Sequence, residues 1–188
     1  MNNLSDAEII DSVRKGNRND FSMLIDRYKN KAYSMVVRML KNNMEAEEVL
    51  QDCFLKAYYG LNSFRQEAKF STWFYRIVYN TALTRLAGKK RKINAEMGSM
   101  DDYSDTLPAD DYKVTEQMDT GEILSKLVQK LPANYAAAIN MFYINDMSCE
   151  EIAAIMNISA GNVKVILHRS RNALKELIQK NNLAGELL

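Results

Sequence analysis

Two stretches of this chain carry side chains suited to holding a nucleic acid. The first covers residues 70–92, FSTWFYRIVYNTALTRLAGKKRK. It sets Phe70, Trp73, Phe74, Tyr75 and Tyr79 close together, adds Asn80, and ends on Lys89, Lys90, Arg91 and Lys92. A helix made only for a core keeps one face polar. Rings on nearly every side, then a cationic tail, suit a partner that is flat and charged. The second stretch is MSCEEIAAIMNISAGNVKVILHRSRNALKEL, from Met147 onward. On a helical wheel Val163, Leu167, Ser170 and Leu174 share one face, with Ile166 at its edge. The opposite face carries Gly161, Asn162, Lys164, Val165, His168, Arg169 and Asn172, with Arg171 nearer the boundary. In a major groove Asn162 suits an adenine edge, Lys164 a guanine edge or a phosphate, and Val165 a thymine methyl. His168, Arg169 and Arg171 suit phosphates, which position a helix without reading sequence.

Catalytic chemistry finds no comparable support. There is no Gly-rich phosphate loop, no set of paired metal ligands and no nucleophile–histidine constellation. His168, the only histidine, with Cys53 and Cys149 would leave tetrahedral zinc short of a ligand. The expectation is a protein with no catalytic residues, no metal and no cofactor.

The elements that must position these side chains are helices. Only 7 Gly and 2 Pro punctuate 188 residues, which favours long helices over a many-turned sheet. That length allows one compact domain or two small ones. No run of about 18 apolar residues occurs, so no membrane insertion is expected. MNNLSDAEII lacks the basic-then-apolar order of a secretory signal. Both cysteines fall in expected helices, which fits a reducing, cytoplasmic location.

The net charge of +1 conceals a strong asymmetry. Residues 1–92 hold 17 Lys and Arg against 10 Asp and Glu, a balance of +7; residues 93–120 hold 1 against 8, or −7. Residues 121–188, with 7 against 6, are nearly balanced. Local charge decides what a surface attracts. The reading is a basic module (1–92), an acidic flexible linker (93–120) and a second module (121–188), all-α throughout.

Local signals mark the helices. Ser5 with Glu8 makes a capping box, and Gly16 is the expected left-handed stop. Asp20 is placed as the cap of a helix over 21–41, whose apolar stripe includes Phe21, Leu24, Tyr28, Ala32, Met35, Val36 and Met39. A third helix spans about 45–59 with Gly60 as its stop, and a loop follows over 61–69. Ser71 is placed as the cap of the aromatic helix, which is expected to end near Leu86. Periodicity returns from Ile123 to Leu131, then over 133–144 beyond Pro132. Ser148 with Glu151 is a second capping box, and Asn157 to Ser159 form a short turn before the last helix. Small Ala153 allows the two helices to approach closely, which describes a helix-turn-helix. A plain helical hairpin with a solvated face shares the periodicity but not the capping box and short turn.

The ordered pair of stretches from Met44 to Lys92 and from Leu131 to Leu174, with an acidic connector between, resembles a bacterial RNA polymerase sigma factor of the small extracytoplasmic-function group. The resemblance implies two helical domains, the sigma second region and the helix-turn-helix fourth region. It implies core RNA polymerase, through its β′ coiled coil and β flap, as a partner, together with promoter DNA and an anti-sigma factor. It sets Glu47, Glu48, Gln51 and Asp52 against the coiled coil, and α-helix residues 162–171 against the −35 duplex. It places the loop 61–69, with Phe64 and Arg65, and the aromatic helix at the −10 element, where a base is flipped from the duplex. In that role Asn80 suits an exposed base edge, and Arg76, Arg85, Lys89, Lys90, Arg91 and Lys92 suit phosphates. Ring stacking and cations offset the cost of opening DNA without ATP. Phe70, Trp73, Phe74 and Ile77 share a face suited to the core; Tyr75 and Tyr79 point elsewhere and are open to either packing or a base. Thr84, Ala136, Asn162, Val165 and Ile166 depart from the family's usual residues, and the last three imply a different −35 preference. The competing reading is a helix-turn-helix regulator not stably associated with polymerase, which leaves the aromatic-basic helix without a purpose.

Overall fold

The structure is a computed structural model that describes residues 4–97 and 120–181. The described residues form α1 (Asp6–Arg14), α2 (Phe21–Leu40), α3 (Asn43–Gly60), α4 (Phe70–Met97), α5 (Thr120–Lys130), α6 (Ala133–Ile139), α7 (Cys149–Met156) and α8 (Ala160–Lys180). No strand occurs among them. The capping boxes are both closed: Ser5 with Glu8 starts α1, and Ser148 with Glu151 starts α7. Gly16 takes the expected positive φ of 107°.

Several boundaries differ from the sequence reading, each for a local reason. Asp20 does not cap α2. A 3-10 turn, Arg18–Asp20, runs directly into that helix, so Asp20 is already helical and its carboxylate accepts from the Ser12 hydroxyl. Asn42 instead caps α3, its side chain accepting from Glu45 N at 3.0 Å. α3 does end at Gly60, but without a left-handed turn: its φ is −79° and the chain continues into a 3-10 turn, Leu61–Ser63. Glycine serves a close approach there, since a Cβ would lie 3.2 Å from Trp73 Cζ2. Ser71 falls inside α4, because Trp73 N already donates to the Lys69 carbonyl. At its other end α4 passes Leu86 and Gly88 and reaches Met97, so residues 93–97 are helical rather than linker. Arg85–Glu48 (3.0 Å) and Lys89–Glu45 (2.7 Å) tie this extension to α3. The acidic linker residues 98–119, with Asp101, Asp102, Asp110 and Asp111, lie outside the described residues.

The expected helix over 133–144 changes its winding midway. After α6 comes a π-helical turn, Asn140–Ile144, closed by Asn145 N to the Asn140 carbonyl at 3.1 Å. The wider turn leaves the Asn140 side chain buried, where its amide donates to Ser34 Oγ at 3.1 Å.

The first four helices pack around Leu24, Met35, Val36, Val49, Cys53, Phe74 and Val78. Ala137, Ala138, Met141, Met147, Ile152 and Ile155 from beyond the linker belong to the same apolar cluster. Alanines permit this closeness, since α6 lies directly against α2 with Ala137 and Ala138 fully buried. A second cluster, Ile123, Leu127, Val128, Leu131, Ala136, Ile139, Leu177 and Ile178, holds α5, α6 and α8 together. Each large buried side chain contributes about 1.5–3 kcal/mol relative to exposure.

Candidate nucleic-acid interface

The second module presents its helix-turn-helix with the recognition face open. α7 ends on Asn157 in the left-handed conformation, φ 56°, which turns the chain in two residues toward the Ser159 cap of α8. Ser159 Oγ accepts from Asn162 N at 3.2 Å. Val163, Leu167 and Ser170 are buried, and Leu174 packs on the second cluster. Ser170 is satisfied within the helix by the Ile166 carbonyl at 2.7 Å. The other face is exposed at every position named from sequence: Asn162, Lys164, Val165, His168, Arg169 and Arg171. Val165 is 46% exposed, an apolar group left open on that face among the described residues. Asn172 donates to His168 Nε2 at 3.2 Å, and Arg171 reaches the Tyr143 hydroxyl at 3.5 Å.

The first module divides its sequence-named residues. Arg65, Arg76, Asn80, Lys90, Arg91 and Lys92 are exposed. Phe64 is buried, not free to meet a strand: its ring lies 4.9 Å from Trp73 and 6.0 Å from Phe70. Phe70 and Phe74 are buried as expected, and Phe74 stacks on Phe54 at 4.8 Å. Trp73 and Ile77 are only partly covered. Arg85 and Lys89 face α3 and are paired with Glu48 and Glu45, rather than open to phosphates. Tyr75 and Tyr79 resolve toward packing: both are buried, and burial pushes both phenols above their ordinary pKa.

Tyr75 lies beside Tyr28 and Phe74 of its own bundle and meets the second module through its polar end. Its hydroxyl donates to Asn145 Oδ1 at 2.9 Å; Asn145 Nδ2 donates to Asn140 Oδ1 at 2.9 Å. The chain of bonds continues through Asn140 to Ser34, where Arg38 also donates, and Arg38 Nη2 reaches Ser125 Oγ at 3.2 Å. Burial lowers the Arg38 guanidinium below its ordinary pKa. At the edge of this contact Lys69 Nζ lies 2.8 Å from Glu151 Oε1. The hydrogen bond from Lys69 leads the effects that hold the Glu151 carboxyl below its ordinary value.

Sequence reasoning missed two features. The first is a cleft of about 760 Å³ beside the loop, lined by Ala7 and Ile10 of α1, Arg27 and Tyr28 of α2, and loop residues 66–69. Tyr28 read as one member of an apolar stripe; only its hydroxyl, which donates to Asp6, hints at a polar wall. The second is an apolar continuation of the acidic face of α3. Glu47, Glu48, Gln51 and Asp52 are exposed as expected, but so are Met44 (74%), Leu55 (54%) and Tyr59 (77%). Met44, Glu48, Gln51, Leu55 and Tyr59 recur at three and four, which sets them along one ridge. No cluster of three or more His, Cys, Asp or Glu able to hold a metal occurs among the described residues. No described helix is long and apolar enough to cross a membrane.

Comparison with known proteins agrees with this division. Residues 24–92 match the family model of Sigma-70 region 2, and residues 121–174 that of Sigma-70, region 4. The chain is 36% identical over 180 residues to the ECF RNA polymerase sigma factor SigW of Bacillus subtilis, covering 90% of this chain and 95% of that one. It is 31% identical over 188 residues to the ECF RNA polymerase sigma-E factor of Escherichia coli K12, covering 94% and 95%. Among solved structures, the sigma factor RpoE of Bartonella quintana in complex with the anti-sigma factor NepR superposes with a TM-score of 0.67 at 22% identity, over 85% of this chain and 97% of that one. CnrH in complex with the cytosolic domain of CnrY gives 0.61 at 19% identity, over 92% and 96%. Those two likenesses establish the shared fold. The matched regions and the two curated relatives, taken with the open face of α8, place this chain in the extracytoplasmic-function sigma factors, the subunits that bind core RNA polymerase and direct it to promoters.

Proposed function

We propose that the two modules divide promoter recognition as follows: α8 reads the −35 duplex, and the loop 61–69 with the exposed side of α4 takes the melted −10 strand. The observation that carries this reading is the sorting of α8. Every side chain suited to DNA is exposed, and every apolar one but Val165 is buried or partly covered. Asn162, Lys164 and Val165 face base edges, while His168, Arg169 and Arg171 hold phosphates. On the first module Asn80, Arg76, Arg65, Lys90, Arg91 and Lys92 face the strand. Tyr75 joins them once the second module has moved off it.

Polymerase docks on the α3 ridge, where the exposed Leu55 and Tyr59 beside Gln51 and Asp52 favour a protein partner over solvent. The β′ coiled coil is that partner, and the β flap takes the second module. The chain makes no bonds itself; phosphodiester chemistry belongs to the core enzyme. Its place of action is the cytoplasm, and an anti-sigma factor is the regulator that fits its relatives.

The test is run-off transcription on genomic fragments with core polymerase, followed by mapping of start sites. Specific initiation is expected, with −35 and −10 sequences shared among the start sites. Asn80→Ala should reduce promoter opening on those templates, and unchanged opening would remove Asn80 from the strand site. A helix-turn-helix regulator without a polymerase role would fail to co-elute with core in gel filtration.

A further inference from the structure

The first helix lies outside the matched second region, which begins at residue 24. We infer that α1 is the positioning element of the strand-capturing loop, acting through Arg14 and Asp11; this rests on the reading of residues 61–69 as the −10 site. Arg14 crosses from α1 to the loop and spans two backbone carbonyls. Its Nη2 and Nε donate to the Leu61 carbonyl at 2.8 and 3.3 Å, and Nη2 also donates to the Phe64 carbonyl. Asp11, one turn earlier, accepts from Gln66 Nε2 at 3.2 Å and lies 3.9 Å from Arg14 Nη1. Gln66 has a φ of 58°, a left-handed conformation that a side-chain-bearing residue adopts under restraint.

These contacts fall where the loop changes character. Leu61 and Phe64 are buried, while residues 65–69 are all exposed. The last apolar anchor is therefore Phe64: Arg14 holds the carbonyls of Leu61 and Phe64, Asp11 holds the Gln66 side chain just beyond, and Lys69 is paired with Glu151 at the far end of the loop. α1 also walls the cleft that adjoins those exposed residues, through Ala7 and Ile10. A planar guanidinium can bridge two carbonyls at once; an ammonium presents a point charge and cannot reproduce the fork. Arg14 thus acts on the strand through the loop and is a positioning residue.

The test compares wild type, Arg14→Ala and Arg14→Lys, each assembled with core polymerase. The probe is a forked DNA from one mapped promoter, with duplex −35 and a single-stranded −10 overhang; a blunt duplex ending upstream of −10 serves as reference. Both variants are expected to lose about tenfold or more in forked-DNA affinity, the range for a charged hydrogen-bonded group. Core affinity and blunt-duplex affinity should stay close to wild type. Rescue by Arg14→Lys would overturn the inference, since charge alone would then suffice. Wild-type behaviour of Arg14→Ala, or an equal loss on both DNAs, would overturn it too. A wild-type chain that gains nothing from the overhang overturns both this inference and the strand-site reading on which it rests.

Discussion

α4 and α8 are both long helices with polar, cationic sequences, yet they use their surfaces in opposite ways. α8 is covered on one side only, so its apolar and polar residues separate cleanly on a wheel. α4 is covered twice. Phe70, Phe74 and Val78 serve its own bundle, and Tyr75 meets Asn145 of the second module. A helix gripped from two sides carries rings on two sides, which accounts for aromatics that seemed to exceed the needs of one core. The contrast teaches that excess apolar surface on a helix can belong to a second packing partner as readily as to a ligand.

The largest expected break in that contrast is Phe74→Ala. Phe74 is fully buried and stacked on Phe54, so its loss should lower stability by about 3–5 kcal/mol in urea denaturation. The matching change on α8, Val165→Ala, should stay within about 0.5 kcal/mol. Similar losses for both would mean that α8 is also gripped from two sides. Next in size is Asn162→Ala. Stability should hold while discrimination at one −35 base pair falls by about 1–3 kcal/mol, measured by duplex binding across single-base variants. A uniform loss over all sequences would convert Asn162 from a reader into a phosphate contact.

Tyr75→Phe sharpens the double covering of α4. Removing the hydroxyl deletes the bond to Asn145 but keeps the ring, so a loss of about 0.5–1.5 kcal/mol is expected. Hydrogen exchange should report it along the α4–α7 contact rather than in α3. The smallest effect belongs to the Lys69–Glu151 pair. The folded Glu151 carboxyl sits below its ordinary 4.5, so the stabilisation it gives is present above that value and is lost as pH falls through the folded pKa. A partly exposed pair contributes under about 1 kcal/mol. Glu151→Gln should remove that acid sensitivity of module docking, read by hydrogen exchange along the α4–α7 contact during an acid titration.

Much of the fold was legible because its signals are local. Both capping boxes, the left-handed Gly16 and the Asn157–Ser159 turn depend on residues within a few positions of one another. The errors arose where distant contacts decide. Gly60 ends α3 as read, yet its missing side chain answers to Trp73 rather than to a left-handed turn, and Asp20 looks like a cap until Ser12 takes its carboxylate. The end of α4 expected near Leu86 gives way to a helix that runs on to Met97, with Lys89 paired to Glu45 of α3 along it. The site shows the same divide. Six residues of α8 could be assigned to its exposed face from periodicity alone, whereas the burial of Phe64 and the pairing of Arg85 and Lys89 with α3 depend on partners no spacing rule reveals. Tyr75 could be judged only once another module lay across it.

The alanine seam where α6 meets α2 is the apolar surface that any parting of the halves would have to open. Because they are tethered in one chain, separation and return are first-order events, indifferent to how dilute the protein is. Prising them apart wets Ala137, Ala138 and Met141, so the balance should tilt with temperature through a heat-capacity change more than with ionic strength.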